Sequence, residues 1–347
     1  MGDLVGTSVS GTLFFVPPAE FKRILGSSLE KPEKATLFAG LCRINTLYMI
    51  ARAGSGHIGS SFSSMDILSW LHLYEKGPED LFFSSKGHDA PGYYAILIGL
   101  GLLDFELIHQ LRRLHGLPGH PDVGTPHIVT NTGSLGMGVS KGKGMVFANR
   151  LAGKPGKVFV LTGDGELQEG QFWESLISAA NHKLHELTVI IDHNKLQSDT
   201  LLAKVSDLGD LVAKLKAFGW HVERCDGNDL NAFSLAMESC KGVGDKPQVI
   251  VADTVKGKGV SFMEHTSIDS DVELYKFHSG APSEEAYNRA ISELIERVNA
   301  QLSECGLDRL DLVEVTRSPA VSLNQPQRLV QAYSAALLDQ ARKNPKL

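Results

Sequence analysis

Between Lys157 and Val255 the sequence alternates four short β-rich runs with three amphipathic segments, and few folds accommodate that order. The runs are Val158 to Leu161, Leu187 to Ile191, Trp220 to Arg224 and Val249 to Val255. The segments between them, Gln171 to His182, Leu208 to Phe218 and Leu230 to Cys240, carry apolar residues at helical spacing. Strand, helix, strand at these lengths is the βαβ signature of a parallel sheet covered on both faces. The predicted fold is therefore α/β: a doubly wound, mainly parallel sheet with helices on both faces. Earlier in the chain, Leu37, Leu41, Ile44, Leu47, Tyr48 and Ala51 predict a helix over Glu33 to Ala53 that Gly54 stops. Met65 to Tyr74 predicts another, with Ser63 and Ser64 placed to cap it. Leu81 to Ser84 reads as a strand and Tyr93 to Leu100 as a helix.

Residues 1–30 show no clear period and read as an arm, 31–304 as the main domain, and 305–347 as a linker followed by the start of a second domain or an extension. Within that scheme, Glu284 to Ser303 and Gln327 to Arg342 are helical, and Cys305 to Pro326 is a linker. Lys256 to Ala281 has no period and is rich in Gly, Ser and Asp; a loop that long inside a compact domain is usually functional.

Charge and cysteine content remove several classes. A net charge of −6 without a long basic run argues against nucleic acid or an anionic membrane as the main partner. The apolar stretch around Leu13 to Pro17 is too short to span a bilayer and follows no Lys or Arg, so it is neither a transmembrane helix nor a signal peptide. The four cysteines, Cys42, Cys225, Cys240 and Cys305, lie far apart with no Cys-x-x-Cys, which fits buried thiols of a cytoplasmic protein rather than a zinc site or disulfide framework.

The chemistry concentrates at two strand ends. Gly163-Asp164-Gly165 closes the first β-rich run, and Asn194 closes the next. In a parallel sheet both fall at the carboxyl edge, where ligands bind. Asp164 and Asn194 then offer two hard oxygen donors to one small cation, and phosphate oxygens and water complete an octahedral Mg²⁺ shell, with Ca²⁺ or Mn²⁺ as substitutes. Gly163 and Gly165 let the backbone approach an anion, and N–H groups of that turn can donate to it. An isolated Gly-Asp-Gly is an ordinary tight turn; its position, paired with a distal asparagine, is what points to a magnesium-bound diphosphate.

Those residues, with Glu166-Leu167-Gln168-Glu169-Gly170-Gln171-Phe172-Trp173-Glu174, resemble the transketolase family. Ser55-Gly56-His57, Lys86-Gly87-His88, Gly119-His120-Pro121 and Thr132-Gly133-Ser134-Leu135-Gly136 match transketolase blocks in the same order. The resemblance spans roughly Lys34 to Ala281; His193 departs from it, standing where the general thiamine fingerprint has a second asparagine. It implies thiamine diphosphate as cofactor, with Asp164, Asn194 and the Leu196 carbonyl as metal ligands. It also implies diphosphate contacts from Gly165, His88 and His278, backbone contacts to the aminopyrimidine at Gly133 and Leu135, and a carboxylate at Glu169 that links neighbouring cofactor sites.

Thirteen histidines are present, and four of them stand out in Gly-containing loops: His57, His88 and His120 each follow a glycine, and His278 lies two residues before Gly280. Imidazole gives and takes protons near neutral pH, as transfer of a ketol unit requires. By resemblance, His57 and His120 face the reacting carbons, and His278 serves both diphosphate and substrate. The Gly133 to Gly144 stretch is not a rival nucleotide site. Gly136-x-Gly138 is followed by Lys141 where a dinucleotide fingerprint needs glycine, and Gly142-Lys143 by Gly144 where a P-loop needs Ser or Thr.

The implied reaction moves a two-carbon unit from a ketose to an aldose, with sugars or sugar phosphates as substrates. The family's activating glutamate lies in a second, pyrimidine-binding half, of which this sequence resembles at most the opening helix, Arg328 to Leu337. The expectation is a complementary pyrimidine-domain subunit or domain, as an α2β2 heterotetramer or a dimer of full-length chains. The alternatives are a deoxyxylulose-phosphate synthase, the α chain of a 2-oxoacid dehydrogenase, or a non-catalytic cofactor-binding paralogue; the His57 and His120 pair and Glu169-Gly170-Gln171 favour transketolase.

Overall fold

A computed structural model describes residues 11–267, 274–317 and 329–344. Residues 1–10 of the expected arm and 318–326 of the expected linker lie outside the described residues. Strand β1 (Gly11–Phe15) and helix α1 (Pro18–Leu25) precede the long helix α2 (Lys31–Ala53), which ends where Gly54 turns left-handed at φ +75°. Helices α3 (Ile58–Ser63) and α4 (Met65–Trp70) lead to β2 (Leu81–Ser84), α5 (Ala90–Gly99) and α6 (Gly138–Leu151). Next come β3 (Val158–Gly163), α7 (Gly170–Asn181), β4 (Leu187–His193) and a small hairpin of β5 (Leu196–Gln197) with β6 (Thr200–Leu201). The chain continues through α8 (Leu202–Ser206), α9 (Leu211–Ala217), β7 (His221–Asp226), α10 (Leu230–Lys241) and β8 (Gln248–Asp253). Helix α11 (Glu284–Glu304), strand β9 (Val313–Arg317) and helix α12 (Leu329–Lys343) complete the described elements.

Five strands form one parallel sheet, as the sequence predicts, and their order is β2-β3-β4-β8-β7. Alternation along each strand divides the apolar residues between two cores. Phe159, Leu161, Ile190 and Ile250 face α2, α4, α5 and α10, whereas Val158, Val160, Val189 and Val251 face α6, α7 and α9. Every one of these side chains is essentially inaccessible, and each contributes roughly 1.5–3 kcal/mol through burial. The sheet is thus doubly wound.

Three local readings change. Ser64 does not cap α4: α3 runs almost directly into it, and the Ser64 hydroxyl donates to the Ser60 carbonyl instead. The end of that helix, Leu71–Glu75, widens into a single π-type turn. The segment around Gly11 to Leu25 and the stretch after Cys305 carry regular structure that no local period announces. β1 pairs antiparallel with β9, Gly11 opposite Arg317 and Phe15 opposite Val313. Leu13, Val16, Phe21 and Ile24 are buried against the main core. The four cysteines are free thiols, Cys42 and Cys240 buried, Cys225 and Cys305 half-buried. No helix among the described residues is long and apolar enough to cross a membrane.

Candidate active site

Four adjacent strands end at one cleft of about 200 Å³. β2 delivers Lys86 and His88, β3 delivers Gly163, Asp164 and Gly165, β4 delivers Asn194 and Leu196, and β8 leads into Lys256. His57, at the start of α3, and His278 close the remaining side. The expectation that the Gly-Asp-Gly turn and the distal asparagine lie side by side is met: β3 and β4 pair in parallel with Gly163 opposite Asp192.

Beneath the cleft lies a water-excluded ion pair. The Lys86 ammonium is 2.5 Å from Asp192 and 3.6 Å from Asp89. Burial disfavours its charge, but Asp192 and Asp89 together outweigh burial and hold its pKa above the ordinary lysine value. Asp192 also accepts from the hydroxyls of Ser63 (2.7 Å) and Thr254, and from the Asn194 amide nitrogen at 3.3 Å. That last bond leaves the Asn194 Oδ1 as the atom available towards Leu196 and the cleft, where it accepts from Leu196 N at 3.2 Å.

Asp164 is 1% exposed. It accepts from the backbone N–H groups of Gly165 (2.8 Å) and Lys195 (2.5 Å), yet burial and then nearby Asp192 push its pKa up to about 6. A carboxylate held that high wants a cation. Lys256, deeply buried, donates to the Ser198 carbonyl at 2.7 Å, and burial draws its pKa down to about 8. Among the described residues, four buried polar atoms lining the cleft lack a partner: His57 Nδ1, His278 Nδ1, Ser60 Oγ and Gln197 Oε1. A polar ligand with a bound cation satisfies both observations. Among the described residues no group of three or more His, Cys, Asp or Glu is arranged for a metal. A set of two side chains and a carbonyl needs none.

The imidazoles form a cluster. The rings of His57 and His88, and of His57 and His278, are 5.3 Å apart, and those of His88 and His278 5.9 Å apart. His120 is more exposed and stacks where a Cβ on Gly87 or Gly133 would strike its ring. Gly133 adopts φ +116°, a conformation only glycine takes comfortably, and Leu135 lines the cleft at 40% exposure. Glu169 stands at the surface of the single chain; the buried carboxylate of that turn is Glu166.

Sequence reasoning missed Lys256, Lys86, Ser60 and Gln197 as cleft residues. Lys256 could have been found by applying the strand-edge argument to the fourth β-rich run as well as to the first two. Lys86 lay inside a quoted motif, but its role depends on Asp192, 106 residues away. Nothing local marks Gln197 or Ser60.

Burial, with His278 and Arg112 adding repulsion, draws the His57 pKa to about 4. Burial and then Lys256 draw His278 to about 4, burial alone dominates for His72 at about 4, and His88 also sits well below 6.5. Unfolded imidazoles protonate near pH 6.5, so between about pH 6 and 7 the unfolded chain binds more protons and stability rises with pH. The cofactor-free melting temperature is expected to fall as pH drops from 7.5 to 6. Below that, Asp164, which takes up its proton earlier in the fold than outside it, offsets part of the loss. Differential scanning fluorimetry across this range checks the slope, which the double variant H57Q/H278Q should reduce.

The fold and cleft define a class: a parallel α/β domain with a polar, cation-ready site at the carboxyl edge of its sheet. The profile described as "Transketolase, thiamine diphosphate binding domain" matches residues 35–272, and the chain belongs to the transketolase family. It is 36% identical over 267 residues to the 6-deoxy-6-sulfo-D-fructose transketolase subunit of Clostridium sp. (strain MSTE9), covering 74% of this chain and 94% of that one. It is 33% identical over 260 residues to one of the subunits of apulose-4-phosphate transketolase from Phocaeicola vulgatus, covering 72% and 90%. The crystal structure of Campylobacter jejuni transketolase superposes with a TM-score of 0.65 at 25% identity, covering 92% of this chain but 48% of that one. The chain therefore spans nearly the whole of the separate subunits and about half of the longer enzyme.

Proposed function

We propose that this chain is the cofactor-binding half of a transketolase, moving a two-carbon ketol unit from a ketose to an aldose together with a complementary pyrimidine-binding half. The observation that carries the reading is the convergence of Asp164, Asn194, Lys256 and three imidazoles on one cleft at the ends of adjacent strands. Both subunit-type relatives are named for transketolase activity on unusual sugars, which supports a specialised sugar or sugar-phosphate pair over the ordinary pentose phosphates.

Within this reading Asp164, the Asn194 amide oxygen and the Leu196 carbonyl hold Mg²⁺, which suits a hard-oxygen set better than a softer metal. Gly163 and Gly165 admit the diphosphate to the turn, and His88, His278 and Lys256 supply donors or charge to it. Gly133 and Leu135 receive the aminopyrimidine, and Glu169 faces the interface with a second copy of the site. When bound, thiamine diphosphate supplies the carbon nucleophile and electron sink for carbon–carbon cleavage. The chain orients the sugar and manages its protons. His57 and His278 are neutral at pH 7, so each presents one N–H donor and one bare nitrogen to substrate hydroxyl or carbonyl oxygens. A cytoplasmic α2β2 assembly is the arrangement we favour.

A donor screen on the reconstituted pair tests this: consumption of hydroxypyruvate or a ketose phosphate, with pyruvate inert, is the expected pattern. Preference for pyruvate would assign the chain to another thiamine enzyme. For His120, substitution by alanine is expected to lower turnover by about 10²-fold or more while cofactor affinity stays within a few fold. Steady-state rates at saturating donor check this, and unchanged turnover removes His120 from the reacting centre.

A further inference from the structure

We propose that Glu166 is a positioning residue that fixes the loop carrying Gly133 and Leu135, and thereby governs recognition of the ligand beyond its phosphates. The inference rests on the functional reading above. Glu166 is 3% exposed and lies in the turn between β3 and α7. Its Oε1 accepts from the Ser85 hydroxyl and from Gly136 N–H at 2.9 Å. Its Oε2 accepts from the Thr162 hydroxyl at 2.7 Å and from Gly163 N–H at 3.4 Å. One carboxylate thus joins the end of β2, the end of β3 and the loop at 131–137.

The first two of these segments have other anchors. Ser85 N–H donates to the Leu161 carbonyl at 2.7 Å, and Lys86 is clamped by Asp192. β3 is paired on both sides, and Asp164 N–H reaches the Asp192 carbonyl at 3.3 Å. The loop is less secure. Thr132 N–H reaches the Pro121 carbonyl at 3.4 Å, and Asn131 is tied to Asp122, to Val123 and, through its carbonyl, to the Lys141 ammonium at 2.5 Å, whereas Gly136 N–H, at the far end of the loop, depends on Glu166. Gly136 holds φ +81°, and a Cβ there would come within 2.6 Å of the Glu169 Cβ, so this turn has one tight seating. Leu135, its immediate neighbour, lines the cleft. Losing the Glu166 acceptor leaves the metal and phosphate end of the cleft in place and releases the opposite end.

The test compares two ligands on the chain reconstituted with its complementary half: thiamine diphosphate with Mg²⁺, and inorganic pyrophosphate with Mg²⁺, both by calorimetry. E166A is expected to weaken thiamine diphosphate at least about tenfold more than pyrophosphate, the scale of one orphaned buried N–H. E166Q is expected to restore affinity to within about threefold, because its carbonyl oxygen still accepts from Gly136 while its amide faces Thr162, whose hydroxyl can turn to accept, and only the long 3.4 Å contact from Gly163 N–H is given up. Should E166A not fold, E166D withdraws the acceptor by one methylene and reads the same ratio. Equal losses on both ligands, or undiminished affinity for thiamine diphosphate, would overturn the inference. A wild-type pair that binds pyrophosphate but not thiamine diphosphate would instead bring down the functional reading, and this inference with it.

Discussion

Alanine in place of Asp164 is expected to abolish cofactor loading, raising the dissociation constant for thiamine diphosphate with Mg²⁺ at least about 100-fold, or ~2.7 kcal/mol. The other buried carboxylates nearby are committed: Asp192 to Lys86, Ser63 and Thr254, Asp89 to Lys86 and Ser84, and Glu166 to Ser85, Thr162 and Gly136, so none takes over without breaking buried bonds. Without a cation, Asp164 is an unfavourable buried acid, which offsets the Gly165 and Lys195 N–H groups that alanine orphans, so the same variant is expected to melt within a few degrees of wild type when cofactor is absent. Calorimetric titration and a melting curve, taken together, separate loss of a ligand from loss of the fold. Cofactor affinity retained within tenfold would place the metal elsewhere.

The second large effect concerns the complementary half. The purified chain alone is expected to show ketol transfer about 10²–10⁴-fold below that of the reconstituted pair, the scale of one missing proton-transfer group. Leu135, which lines the cleft, is 40% exposed, and Met137, two residues further along the same loop, is 36% exposed. Apolar side chains beside a binding cleft are what a second protein surface covers. Mixing the halves and following donor consumption measures the gain; full turnover by the isolated chain would sink the two-part architecture.

Much of this arrangement was legible in the sequence because the physics that set it is local. Residues alternating between two cores give β3, β4 and β8 their uninterrupted apolar character, and the helices between them carry the opposite period. A parallel sheet then dictates that Asp164 and Asn194 share an edge. What stayed hidden depends on distant partners. Gly11–Phe15 and Val313–Arg317 are five-residue strands whose pairing spans some three hundred residues, and neither has enough length to declare a period. The Ser64 cap failed because α3 already supplies the preceding turn. Glu166 was visible as a letter in a motif, but its four donors come from three segments.

The β1–β9 pairing bears on how such a protein is cut for study. A fragment trimmed to the family-matched residues 35–272 would discard both strands, α1 and α11 together. It would strip Phe21 from the Phe38 ring it packs against and Val298 from its seat over Gly40, opening that side of α2 to water. Such a fragment would be prone to clump, and its silence in an assay would say nothing about the catalytic cleft.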